Sequence, residues 1–365
     1  MKIVKTEIYK LTIQMEPFVI ATEVCTSTQN IFIRIHTDSG IVGMGECSAF
    51  PMLVGETQNT CFEIAKDFAS LTKDKDPLNI DERLDDLDRY IAFNSTIKSA
   101  WDMALFDIGS KAKNIPLFQF LGGAVKDIHT DLTIGIDQPE KMAKKAKEFI
   151  QNGVKILKVK LGKSKEEDIE RIRLIRESIG NDIPIRIDAN QGWNYITAIE
   201  VLNALGNYHI QFCEQPLHHH YDHLLPELRK NVPIKIMADE SVFDHYDAIR
   251  LIESDSIDYI NIKLAKSGGI REALKIADES QKRGIPCMLG GMTESRLGLT
   301  AKVHLALSHN NIQFYDLDTC LLGQLEDPVI GGATYDQYHL LLPDGAGLNA
   351  DISQDFLNQC EKIII

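Results

Sequence analysis

"VKILKVKLGKSKEEDIERIRLIRESIGNDIPIRIDAN", residues 154 to 190, decides the fold of this chain. A short apolar run is followed by an amphipathic stretch and then by a second apolar run. In a β-strand, side chains at i and i+2 share a face. Leu157, Val159 and Leu161 therefore make one wholly apolar face, which calls for a covering helix. The segment "KEEDIERIRLIRESIG" supplies one. The other face starts with Ile156 and then carries two ammonium groups side by side, Lys158 and Lys160. Something in the fold must make use of them.

The same unit recurs on both sides of this stretch. From about residue 126, "HTDLTIGI", "VKILKVKL", "IPIRIDAN", "HIQFCEQP", "VPIKIMADE", "SIDYINIKL", "IPCMLGG" and "IQFYDLD" alternate with helical segments. Eight such strands predict a closed parallel barrel. An open doubly wound sheet is the competing architecture, but no glycine-rich phosphate-binding turn follows the first strand. Residues 1–125 do not repeat. There "IFIRIHTDSGIVGMGECSAF" reads as a hairpin around Asp38-Ser39-Gly40, and Ile97, Trp101, Ala104, Leu105 and Ile108 form an apolar stripe at helical spacing. This is an α+β domain. The barrel is assigned to residues 126–328, and the tail, 329–365, is expected to return to the N-terminal domain.

Composition narrows the function classes. The chain has 365 residues, more than one core usually holds, and a net charge of −14. That charge argues against a nucleic-acid partner, whose phosphates require a basic surface. No apolar run is long enough to span a membrane. "MKIVKTEIYKLTI" alternates like a strand and lacks the apolar core of a signal peptide. The seven cysteines are odd in number and scattered without a CxxC pair. A reduced, cytoplasmic protein is the expectation.

In such a barrel, function collects where strands end. Lys160, Asp188, Glu214, Asp239 and Lys263 follow one another at intervals of 28, 26, 25 and 24 residues, one β/α unit each time. Charges at matching heights on successive strands converge in one barrel mouth. Asp188, Glu214 and Asp239 form a hard oxygen site suited to Mg²⁺. The "HHHYDH" run (218–223) is read as a solvated loop, since no carboxylate pattern requires it. Lys160 and Lys263, on the second and sixth strands, face each other across whatever the metal holds. A cation on a substrate carboxylate acidifies its α-proton. A desolvated lysine near a second cation can fall in pKa and act as a base. A base on each face gives racemisation or epimerisation, with Lys158 supplying fixed positive charge beside Lys160.

Together "KVK", "DAN", "CEQP", "ADES" and the lysine of "NIKLAKSGG" resemble, in order and spacing, the enolase superfamily in its muconate-lactonising-enzyme subgroup. The resemblance covers essentially the whole chain. It implies a (β/α)7β barrel under an α+β capping domain, Mg²⁺ on Asp188, Glu214 and Asp239, and acid–base work by Lys160 and Lys263. It also implies that Asn190 and Glu240 orient the ligands. Within the subgroup, dipeptide epimerases carry a DxD on the last barrel strand that binds the substrate's α-ammonium group. Asp316 and Asp318 match it. Two carboxylates welcome an ammonium and repel a succinyl carboxylate, so a dipeptide epimerase is preferred over an N-succinylamino acid racemase or an o-succinylbenzoate synthase. A ligand-binding barrel without catalysis is the non-enzyme alternative. By the same resemblance Thr133 touches the substrate, as does the backbone at Gly291 and Met292.

Specificity is expected in two capping loops, "EPFVIATEVCTST" (16–28) and "FPMLVGE" (50–56). Glutamate-specific members carry an arginine in the first loop, a few residues past a Pro-Phe. Here Pro17-Phe18 is followed by no basic residue, and Glu23 falls near that place. A γ-carboxylate would meet no partner, so Ala-Glu is disfavoured. Phe18, Val19, Ile20, Met52 and Leu53 point to Ala-Xaa dipeptides with a small or apolar second residue; a cationic residue paired with Glu23 is the fallback. The configuration of the first residue and any homo-oligomer are left open.

Overall fold

The computed structural model describes all 365 residues. In the N-terminal third, strands β1 (Ile3–Leu11), β4 (Asn30–Thr37) and β5 (Val42–Ser48) pair antiparallel, and a last strand, Lys362–Ile364, joins the free edge of β1. The β4–β5 turn passes through Gly40 at φ +84°. The sheet packs on the helix Ser95–Ala112, whose Ile97, Trp101, Ala104, Leu105 and Ile108 are fully buried. Contact is close because β5 carries Gly43 and Gly45. A Cβ there would lie 2.3 Å from the Ala104 carbonyl oxygen and 1.9 Å from that of Ala100.

The barrel strands are β6 (Leu132–Ile134), β7 (Leu157–Lys160), β8 (Ile185–Asp188), β9 (Ile210–Glu214), β10 (Ile236–Ala238), β11 (Tyr259–Ile262), β12 (Cys287–Leu289) and β13 (Ile312–Tyr315). They pair in sequential parallel order, and a hydrogen bond from Asp131 N–H to the Tyr315 carbonyl closes the ring. Helices follow each of the first seven strands, giving the (β/α)7β order. Leu157, Val159 and Leu161 face those helices, all with zero exposure.

The inward faces form layers, because i and i+2 point the same way. Phe212, Met237 and Met288 fill the barrel floor, and the Arg186 guanidinium stacks over the rings of Phe212 and Phe314 at 5.4 and 5.3 Å. One layer higher stand Asp188, Glu214 and Asp239. Water is excluded from below, so charges in the upper layer must find partners among themselves.

The capping hairpin β2 (Gln14–Val19) and β3 (Val24–Ser27) lies over the barrel mouth. Ile136 N–H donates to the Val19 carbonyl at 2.9 Å, and Lys163 Nζ donates to the Ala21 carbonyl at 2.7 Å. Part of the tail stays with the barrel: the hairpin Thr334–Leu341 hydrogen-bonds residues 128 and 130, ahead of β6. No helix is long and apolar enough to cross a membrane, and all seven cysteines are unpaired.

Candidate active site

Strand register brings the expected charges to one level. Lys160 pairs in register with Asp188, and Asp188 with Glu214. Lys160 Nζ donates to Asp188 Oδ2 at 2.6 Å, and Lys263 Nζ lies 2.7 Å from Asp239 Oδ2. Lys158 Nζ reaches three carboxylates: Asp188 at 3.2 Å, Glu214 at 2.7 Å and Asp316 at 2.7 Å. Strands β7 and β11 stand four apart in an eight-strand ring, so Lys160 and Lys263 approach from opposite sides.

Asp188, Glu214 and Asp239 are completely buried. Their oxygens do not close into a tight nest of their own; the lysine ammonium groups stand among them. Glu214 Oε2 and both oxygens of Asp239 have close cations but no contact with hydrogen-bond direction, and Glu240 Oε2 has no donor at all. Buried carboxylate lone pairs without donors fit a hard divalent cation. Asn190 Oδ1 has no donor, but the residue gives two hydrogen bonds: its N–H donates to Asp188 Oδ1 at 2.9 Å and its Nδ2 to Glu240 Oε1 at 3.3 Å.

Lys263 departs from the expected lowered pKa, while Lys158 agrees with the expected fixed charge. Burial alone would lower Lys158 and Lys263, but Asp316, Glu214 and Asp188 around the first, and Asp239 and Glu214 around the second, hold both well above the ordinary lysine range. Acids, rather than a neighbouring cation, dominate their surroundings. The acids respond in turn. Burial, with Asp188 beside it, pushes Glu214 up to about 7, and burial with Asp239 pushes Glu240 up to about 8.

A second acidic group was only partly anticipated. Oxygens of Asp131, Asp316 and Asp318 lie within 4.8 Å of one another. Arg186 Nη1 donates to Asp131 Oδ2 at 2.7 Å, Lys158 to Asp316, and Thr133 N–H to Asp318 Oδ2 at 2.7 Å. Asp318 starts a 3-10 turn, yet its side chain caps nothing there and points into the acidic group. Asp131 escaped the sequence reading although it lies two residues before Thr133, immediately ahead of β6. Two more partners were missed: Asn261 Nδ2 donates to Glu214 Oε1 at 2.7 Å, and Lys266 Nζ lies 2.6 Å from Asp239 Oδ1. Asn261 precedes Lys263 by two, a signal that was there to be read.

Above these groups lies a cavity lined by Lys160, Lys263, Asn190 and Glu240 from the barrel, Gly291 and Met292 from the loop after β12, and Phe18, Ile20, Phe50, Met52 and Leu53 from the cap. Val19 and Glu23 do not line it. Val19 is engaged through its carbonyl with Ile136, and Glu23 accepts the Cys25 thiol at 3.2 Å.

Comparison with known proteins places this geometry. Residues 3–122 match the mandelate racemase/muconate lactonizing enzyme N-terminal domain, and residues 141–356 match the enolase C-terminal domain-like family. The chain belongs to the mandelate racemase/muconate lactonizing enzyme family. It is 44% identical, over the full length of both chains, to a D-Ala-D/L-Ala epimerase of Cytophaga hutchinsonii. A crystal structure of a dipeptide epimerase from that organism, complexed with Mg and the dipeptide D-Ala-L-Val, superposes with a TM-score of 0.98 over all of both chains, at 44% identity. A hydrophobic dipeptide epimerase of Enterococcus faecalis is 39% identical across 91% of this chain and 94% of its own. An N-succinyl Arg/Lys racemase from Bacillus cereus superposes with a TM-score of 0.96 at 32% identity, again over the whole of both chains.

Proposed function

We propose that this family member is a dipeptide epimerase that inverts the α-carbon of the C-terminal residue of an alanine-first dipeptide, with Lys160 and Lys263 moving the proton. The observation that carries the reading is the shared cavity. Amines from opposite barrel walls open into one space, roofed by apolar cap residues and bordered by the buried Glu240. The relatives support it: epimerases of dipeptides, one of them crystallised with Mg and a D-Ala dipeptide.

The cofactor is Mg²⁺, held by Asp188, Glu214 and Asp239; when bound it supplies the positive charge that stabilises the anion left by α-proton removal. The rest falls to side chains. Asp316 and Asp318 take the dipeptide's ammonium group, and Thr133 N–H holds Asp318 in place. Lys158, ion-paired and outside the cavity lining that Lys160 and Lys263 share, is a fixed charge rather than a proton carrier. Lys160 Nζ takes the α-proton of one epimer and Lys263 Nζ returns one from the opposite face, so each lysine serves one stereoisomer. Phe18, Ile20, Met52 and Leu53 surround the second side chain. The lid offers an acidic residue no cation, so small or apolar second residues are preferred over glutamate. D-alanine in first place follows the Cytophaga relative.

A racemase of N-succinyl amino acids is the alternative, motivated by the Bacillus cereus likeness. The acidic group at Asp131, Asp316 and Asp318 opposes it, because a succinyl carboxylate would be repelled there. Incubating the purified protein with Mg²⁺ and a D-Ala-Xaa and L-Ala-Xaa library in deuterated water decides the matter. Mass gain of one deuteron at apolar second residues is expected. Deuterium entering only N-succinyl amino acids, or nothing, would overturn the reading.

A further inference from the structure

The loop after β9 holds three imidazoles against one another. His218 is extended, at φ −58° and ψ 136°, and the chain then turns into a 3-10 helix at His219. That change of direction gathers side chains that a regular strand or helix would splay apart. The ring centroids are 4.3 to 4.6 Å apart, and one nitrogen from each ring lies within 4.8 Å of the other two. His219 and His220 are exposed, so an ion has access from solvent.

One ring is also oriented from behind. Gln191 Oε1 accepts the backbone N–H of His219 at 3.0 Å, which identifies that atom as the amide oxygen. The same oxygen lies 3.0 Å from His219 Nδ1. An amide oxygen only accepts, so the ring proton sits on Nδ1 and Nε2 keeps a free lone pair. Metal-binding histidines are held in this way, by an acceptor on the second nitrogen. His218 Nδ1 accepts the His220 N–H at 3.3 Å, a long contact that an ion can replace.

We propose that His218, His219 and His220 form a second metal site, distinct from the carboxylate centre, for a borderline transition ion of the Zn²⁺ or Ni²⁺ class. Three imidazoles and no carboxylate select such ions over Mg²⁺. Water fills the remaining positions. The site stands at the rim of the catalytic cavity, because Gln191, which holds His219, lines that cavity three residues beyond Asp188.

Calorimetric titration of the Mg²⁺-saturated protein with Zn²⁺ and, separately, Ni²⁺ tests this. The reference is a His218→Ala/His220→Ala double variant, whose fold is checked by circular dichroism and melting. The wild type should bind one equivalent more than the double variant, or bind at least tenfold more tightly. Equal stoichiometry and affinity in the two proteins, for both ions, would overturn the proposal. The titration needs no dipeptide, so its result is independent of which substrate the enzyme turns over.

Discussion

Replacing Asp318 with asparagine probes the ammonium pocket with the smallest change of shape. An asparagine carbonyl can still accept the Thr133 N–H that Asp318 Oδ2 now accepts at 2.7 Å, so the strand end keeps its support. What disappears is one negative charge, and it is the unmatched one. Asp131 is paired with Arg186 and Asp316 with Lys158, each at 2.7 Å, while Asp318 forms no ion pair. Burial, with Asp316 beside it, pushes its carboxyl up to about 7. On the proposed function, an incoming ammonium group supplies the missing partner. Losing one charge-assisted bond in a buried pocket costs about 2–4 kcal/mol, or roughly 30- to 900-fold in kcat/KM.

The sign of the pH effect follows. In the free enzyme Asp318 is protonated below about 7 and cannot hold an ammonium group well, so wild-type kcat/KM should climb through that region. Asp318→Asn should lose both the rate and this limb of the profile. The assay is dipeptide epimerisation by polarimetry across pH, with the N-acetylated dipeptide as control. Acetylation removes the ammonium charge, so the wild type should turn the control over poorly, and the variant should discriminate far less between the two. A variant with unchanged kcat/KM on the free dipeptide would refute the ammonium pocket.

Lysine variants should divide the reaction by stereochemistry. Lys160→Ala and Lys263→Ala should each lose epimerisation by at least about a hundredfold, yet each should still exchange the α-proton of one epimer with deuterated water, the opposite one in each case; loss of the same half-reaction in both would place the amines on one side. His304 should couple stability to pH. It is buried on the helix Arg296–Ser308, its Nδ1 accepts the Phe118 N–H at 3.1 Å, and burial lowers its pKa from 6.5 to about 4. Between those values the unfolded chain binds a proton that the folded one refuses, so stability falls as pH drops through 6.5 towards 4, by about 3 kcal/mol in all. Thermal melts of His304→Gln should show a shallower loss over that range, and identical slopes for wild type and variant would assign the acid sensitivity elsewhere.

The barrel was legible because two periods coincide in this chain. Alternation within each strand says which residues face in, and the spacing of 24 to 28 residues between charges says they share a height. Neither depends on knowing what lies across the barrel. What needed coordinates was the far partner. Lys266 carries no strand-end signal of its own; the short helix Leu264–Ser267 folds it back onto Asp239. The histidine run is largely exposed, as a solvated loop should be, and only the structure shows that one turn of backbone gathers its rings. Lys263 departs from the expected fall in pKa for a related reason, since Asp239 and Glu214 from neighbouring strands stand beside it. Lys158 and Lys160 are neighbours in sequence, but the carboxylates that govern Lys158 come from β8, β9 and the end of β13.

Charge balance connects these partners to the substrate. In the barrel mouth, Lys158, Lys160, Arg186, Lys263 and Lys266 are buried with Asp131, Asp188, Glu214, Asp239, Glu240, Asp316 and Asp318. If all ionise, carboxylates exceed cations by two. The excess is why burial and like-charge repulsion push Asp131, Glu214, Glu240 and Asp318 upward rather than any one of them alone. A divalent cation removes it. A zwitterionic dipeptide with an apolar side chain then enters without disturbing the balance, whereas a succinylated amino acid brings two further negative charges into a site with no cation to spare. If Asp316 and Asp318 receive the ammonium group as proposed, the preference for it is a property of the whole buried charge set, and Asp318 is the place to test it.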